Sequence, residues 1–207
     1  GTMLRREAEV AGGPVEVLNL KNPGAVRAVP VAYLAAGSQI LVTNTFAANT
    51  LALEETGLSD KCADINETAV RLARESSGGN NVVWASVGPL SIGLRHDDFS
   101  TQALEEIYSI QCMALSRADA ILLETFTDPR EAEAALSAAV KTRLPVIFQI
   151  GNIGGGRERW NRIETLVRLA ATAGVTAIGT NCCHPNEIVE TAGYLLSHTE
   201  LPVTASA

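Results

Sequence analysis

The stretch Thr176-Ala177-Ile178-Gly179-Thr180-Asn181-Cys182 is a short apolar run that stops on small polar residues and a cysteine. A run of this length, apolar on both of its alternating faces, is expected of a parallel strand buried on both sides. Five more runs share the pattern, at residues 39–42, 82–85, 120–123, 145–148 and 202–204. The stretches between them carry apolar residues at helical spacing, predicting helices over 22–37, 63–74, 101–117, 128–139, 161–173 and 187–196. Asp128-Pro129 reads as an N-cap followed by proline at the first helical position, and Gly174 as a C-terminal stop. Strand and helix alternating six times predict right-handed βαβ units. No Pro/Ser-rich linker or charge run marks a boundary, so residues 1–207 are expected to form one domain.

An open doubly wound sheet and a closed barrel share this alternation. The polar residues separate them. Five strands run into small polar or charged clusters: Thr43-Asn44-Thr45, Ser86-Val87-Gly88-Pro89, Glu124-Thr125, Gln149 with Gly151-Asn152, and Thr180-Asn181-Cys182. A barrel gathers all strand C-termini at one mouth, where chemistry occurs. An open sheet needs polar ends only beside its switch point. The expectation is a parallel α/β barrel.

Composition narrows the function classes. Aromatics are scarce at 4%, which suits small-residue packing of helices on a parallel sheet. The net charge of −7 argues against a nucleic-acid partner, which needs a basic face. No run approaches a membrane span, and Arg5-Arg6-Glu7 before a Gly-Pro break does not read as a signal peptide. Cys62, Cys112, Cys182 and Cys183 have no disulfide-framework spacing, so a reducing cytoplasm is the expected location.

Few residues stand out for chemistry. Cys182 follows a buried strand, where its thiolate would face a barrel mouth; the bland alternative is a small buried hydrophobe. Glu124 closes an apolar run, so its carboxylate is either paired, capping the next helix or meeting an arginine, or placed to hold a substrate ammonium. Gly154-Gly155-Gly156-Arg157 lacks the P-loop and dinucleotide spacings and reads as a flexible mouth loop; a phosphate cradle is the rival reading. His96, His184 and His198 show no metal-ligand spacing, and His96 and His198 read as solvated.

In order along the chain, Gly1-Thr2-Met3-Leu4, Tyr33-Leu34-Ala35-Ala36-Gly37, Thr43-Asn44-Thr45-Phe46-Ala47-Ala48-Asn49, Ser86-Val87-Gly88-Pro89, Leu123-Glu124-Thr125-Phe126 with Asp128 and Glu131-Ala132, and Gly179-Thr180-Asn181-Cys182 resemble the homocysteine S-methyltransferase family. That domain occurs in cobalamin-dependent methionine synthase and in betaine– and S-methylmethionine–homocysteine methyltransferases. The resemblance implies a (β/α)8 TIM barrel, of which six strands are present here and the first and last are missing. It also implies a mouth zinc ion held by three cysteine thiolates, with homocysteine bound through sulfur and methylated to methionine.

Carried over by position, Cys182 is a zinc ligand and Glu124 receives the homocysteine ammonium, while Asn44, Thr45, Ser86 and Asn181 are expected at the substrate. The family's other two ligands, a Gly-Gly-Cys-Cys pair after the last strand, and the Asp-Gly of its first strand are not in these 207 residues, so a truncated domain is expected. The expected partners are homocysteine and a small methyl donor, with a corrinoid protein or a second copy as further candidates. Three rivals remain: an inert barrel without the zinc pair, a corrinoid-linked methyltransferase with another donor or acceptor, and a barrel enzyme acting on phosphorylated substrates through Gly154–Gly156.

Overall fold

A computed structural model describes residues 2–7, 13–90 and 99–206; Gly1 and the Arg95-His96-Asp97-Asp98 loop lie outside them. Among the described residues there are six strands, β1 (Ile40–Val42), β2 (Val82–Val87), β3 (Ala120–Phe126), β4 (Val146–Ile150), β5 (Ala177–Thr180) and β6 (Val203–Ala205). They lie side by side in chain order, and each neighbouring pair is parallel. A doubly wound sheet reverses its order at a switch point. This one never does.

The helices lie to one side. Those described are α1 (Thr2–Glu7), α2 (Leu18–Lys21), α3 (Pro23–Ala35), α4 (Thr50–Glu54), α5 (Cys62–Ser76), α6 (Thr101–Ala114), α7 (Pro129–Val140), α8 (Arg157–Ala173) and α9 (Pro185–His198). Ala85, Val87, Ile121, Leu123, Phe148, Ile150 and Ile178 pack into the large core with residues of α5 to α9. The alternate residues Ala120, Leu122, Ile147 and Ala177, with Trp84, form a separate cluster made of strand residues alone. Side chains alternate across a strand, so one face carries the helices and the other faces inward. Helices on one face of an all-parallel sheet in sequential order are the wall of a (β/α) barrel, here six strands of a partial TIM barrel.

The inner strands match their expected burial, since every residue of β4 and β5 is buried. The flanking strands do not. β1 exposes Ile40 and Val42, and β6 is half-buried to exposed, because each has a single neighbour among the described strands. Local signals behave as chemistry requires. Asp128 Oδ1 accepts from the Arg130 and Glu131 amides at 3.0 Å, capping α7 behind Pro129. Gly174 ends α8 with φ +73. α8 starts at Arg157 rather than 161, behind Gly156 with φ +83 and no side-chain cap, so no capping residue announces it.

Candidate functional site

The inward face changes character along the strands. Along each strand an apolar inward residue, Trp84, Leu122 or Ile147, is followed two positions on by a polar one, Ser86, Glu124 or Gln149, and Thr204 of β6 lies opposite Gly179 beside Gln149. Polar side chains thus gather where a parallel barrel opens. Gln149 Nε2 donates to Thr204 Oγ1 at 3.1 Å, and Gly179 gives Thr204 its space, because a Cβ there would overlap the Thr204 hydroxyl and carbonyl.

A β-bulge shapes the centre of this layer. Leu123 pairs with Phe148 and Phe126 with Ile150, so Glu124 and Thr125 together face Gln149. The extra residue lets Glu124 face inward while Phe126 returns to the helix-covered core. Thr125 takes φ +71, a left-handed conformation that a β-branched residue rarely adopts. Gly151 accommodates it: a Cβ there would stand 2.9 Å from both Thr125 Cγ2 and the Thr125 carbonyl oxygen.

Glu124 sits inside β3 rather than after it, and among the described residues it neither caps α7 nor meets an arginine. Ser86 Oγ donates a short hydrogen bond to Glu124 Oε1, and Asn181 Nδ2 donates to Oε2 at 3.0 Å. Burial pushes the Glu124 carboxyl above its ordinary pKa, and the Ser86 bond works against that shift. Two neutral donors hold the carboxylate, and each oxygen keeps a lone pair for a further donor.

Ser86 is held in turn. Its amide donates to Thr43 Oγ1 at 3.1 Å, its carbonyl accepts from Thr45 Oγ1 at 2.6 Å, and the two threonine hydroxyls lie 2.6 Å apart. Because Thr45 spends its proton on Ser86, the Thr43 hydroxyl donates to Thr45, and every hydroxyl orientation in the ring is fixed. Thr45 is fully buried, and its carbonyl accepts from Gln111 Nε2 at 2.7 Å. Asn44 turns elsewhere: its Nδ2 donates to the Val15 carbonyl at 3.1 Å and to Asn19 Oδ1 at 3.0 Å, tying β1 to the N-terminal segment.

Ser86, Glu124, Asn181 and Cys182 therefore come together; Thr45 stands directly behind Ser86, and Asn44 stands apart. Cys182 is exposed, with φ +51 and its sulfur 3.6 Å from Asn181 Nδ2. The Cys183 thiol instead donates to the Asn181 carbonyl at 3.0 Å, and its pKa is raised by burial. His184 caps α9 with Glu187, and His198 is exposed and stacked on Tyr194. His96 lies outside the described residues.

Sequence reading assigned no role to Thr43, Gln111, Thr204 or Tyr108. Only Thr43 carried a signal, as part of Thr-Asn-Thr. Glu131 belonged to a quoted motif without a task; buried, its Oε1 accepts from Tyr108 Oη at 2.7 Å and from the Leu90 amide at 2.6 Å, anchoring the chain four residues past Ser86.

The donor chemistry of Cys182 suits a soft divalent metal. Among the described residues, however, no three His, Cys, Asp or Glu side chains are close enough to hold one. No described helix is long and apolar enough to cross a membrane.

The chain is similar to known proteins along its whole length. A family model described as homocysteine S-methyltransferase matches residues 1–207. Methionine synthase of Mycobacterium leprae is 25% identical over 91% of this chain and 17% of its own length. S-methylmethionine–homocysteine S-methyltransferase BHMT2 of Pongo abelii is 28% identical over 79% of this chain and 44% of its own. The chain thus spans less than half the length of these curated relatives. The metallated crystal structure of the homocysteine methyltransferase MmuM from Escherichia coli superposes with a TM-score of 0.82 at 22% identity, covering 97% of this chain and 80% of that one.

Proposed function

The chain belongs to the homocysteine S-methyltransferase family, and from that membership we propose that it transfers a methyl group to the thiol of homocysteine, giving methionine. One observation carries the reading: a half-buried carboxylate held by two neutral donors stands, across Asn181, beside an exposed cysteine at the mouth of the barrel wall. Homocysteine presents an ammonium at one end and a thiol at the other, and the two groups answer those ends.

Glu124 accepts the substrate ammonium on its free lone pairs, a charged donor beside the two neutral ones. Ser86 fixes the carboxylate from one side, and the Thr43–Thr45 hydroxyl pair fixes Ser86. In this reading Thr45 supports Ser86 from behind, Asn44 fixes β1 to the N-terminal segment away from the substrate, and Ser86 and Asn181 hold the carboxylate that the substrate meets. Cys182 serves as one thiolate ligand of a zinc ion whose other donors lie outside the described residues. Zinc, when bound, supplies the positive charge that favours the thiolate of a substrate whose free thiol has a pKa of about 8.5. The proposed small-molecule partners are homocysteine and a methyl donor, and four free thiols suit a reducing compartment such as the cytoplasm.

The test is to supply the intact protein with zinc, homocysteine and, in turn, S-methylmethionine, betaine or methylcobalamin, and to measure methionine. Methionine from one donor, lost on chelation and in Cys182→Ala, is the expected outcome. A folded protein that binds no zinc and forms no methionine from any donor overturns the proposal in favour of an inert barrel.

A further inference from the structure

Asn181 is 2% exposed, and both ends of its amide are engaged. Its Oδ1 accepts from the Thr125 amide at 3.0 Å, and since a backbone N–H can only donate, that bond decides which way the amide faces. Nδ2 therefore points at Glu124 Oε2 and Thr125 Oγ1, each at 3.0 Å, and lies 3.6 Å from Cys182 Sγ. One nitrogen thus touches both the carboxylate and the sulfur, and the two stand within about 6.6 Å of each other. The same side chain grips the residue whose left-handed backbone forms the bulge beside Glu124.

We infer that Asn181 is a positioning residue that sets the spacing between the ammonium end and the thiol end of the site, and so selects the chain length of the amino-acid thiol accepted. The inference rests on the homocysteine reading above. Buried and fully bonded, Asn181 acts through Glu124, Thr125 and Cys182. An acceptor one methylene shorter than homocysteine, namely cysteine, cannot meet both ends while the spacing is held. Loss of the amide frees Glu124 on one side and lets the bulge relax, so the spacing is no longer fixed. The Thr125 conformation is an observed outlier beside the site, and such strain persists only where surrounding bonds hold it in place.

The experiment compares wild type, Asn181→Ala, and Asn181→Ala combined with Thr125→Gly in the intact protein. Homocysteine and cysteine binding is measured by calorimetry, kcat and KM by methionine formation, and stability by thermal melting. Asn181→Ala is expected to raise the homocysteine Kd and KM about tenfold with kcat changed far less, and to shrink the preference for homocysteine over cysteine by about tenfold, the scale of one methylene. Thr125→Gly removes the conformational strain and is expected to restore thermal stability lost in the single variant. It is not expected to restore affinity or preference.

Recovery of homocysteine affinity together with stability would show a purely structural role and overturn the inference. An unchanged preference in Asn181→Ala overturns it too. Wild type that neither binds nor methylates homocysteine defeats the functional reading itself, which separates that failure from this one.

Discussion

Replacing Glu124 by glutamine removes one negative charge while keeping the shape of the site. The Ser86 hydroxyl donates to Oε1 and Asn181 Nδ2 to Oε2. Glutamine can present its oxygen to Asn181 and its N–H to Ser86 Oγ, which then accepts instead of donating. The scaffold therefore survives, and what is lost is the charge facing a substrate ammonium. Hydrogen bonds to a charged group are worth about 1.5–3 kcal/mol, so homocysteine affinity should fall by roughly 10- to 100-fold.

The pH dependence carries a second signature. Burial raises the Glu124 pKa in the folded protein. Between the ordinary carboxylate pKa and that raised value, the folded state keeps a proton that the unfolded chain has released. Wild-type stability thus declines as pH rises through that window and stays lower above it, a loss that Glu124→Gln escapes. In the same window wild-type affinity for homocysteine rises with pH as the carboxylate ionises, while the variant's affinity should show no such rise. Calorimetric titration with homocysteine and urea unfolding, both followed from below the ordinary carboxylate pKa up to neutral pH, read the two effects. A variant that binds homocysteine within about twofold of wild type refutes the ammonium role assigned to Glu124.

Two glycines separate a backbone obstacle from a movable one. A methyl group at Gly179 meets the hydroxyl and carbonyl of Thr204 in the paired strand, whereas at Gly88 it meets the partly exposed ring of Phe46. Gly179→Ala should cost about 1–3 kcal/mol in urea unfolding and Gly88→Ala clearly less, and the reverse order would contradict the packing described. Alkylation followed by peptide mapping should label Cys182 first in the folded protein. Cys62 and Cys112 should stay silent until unfolding, because burial pushes their thiols up to about 11 and about 12. Added zinc should slow labelling at Cys182, and labelling of Cys112 at a rate comparable to Cys182 would refute the burial argument.

The barrel wall was legible because its two signals are both periodic. Apolar runs at 82–85, 120–123 and 145–148 mark strands whichever face they show, and polar residues at their ends mark the mouth. Strand ends were less legible. Glu124-Thr125 reads as the start of a loop, yet β3 continues to Phe126, because a bulge inserts one residue without breaking the strand. No residue type announces that bulge. A left-handed glycine or asparagine would have, but here the position is a threonine whose amide donates to Asn181 Oδ1 and whose hydroxyl accepts from Asn181 Nδ2. Short elements were missed for a related reason: α2 and α4, at four and five residues, are too brief to display a helical period.

The same logic explains why Asn44 and Ser86, so alike in sequence as polar residues ending strands, part company in space. Ser86 lies within β2, in register with the inward-facing Leu122, so strand parity alone aims it at the mouth. Asn44 lies two residues past the end of β1, where parity no longer governs, and its amide follows the nearest partners, Val15 and Asn19. Polar strand ends therefore locate a barrel's mouth but do not identify which of them face it. That second step needs register, and register across parallel strands depends on pairings 24 to 42 residues apart in this chain. The carboxylate, the serine and the asparagine become one site because residues of β2 and β3 and the first residue past β5 meet through their side chains, and the bulge at Thr125 is what brings Glu124 and Phe126 to opposite faces there.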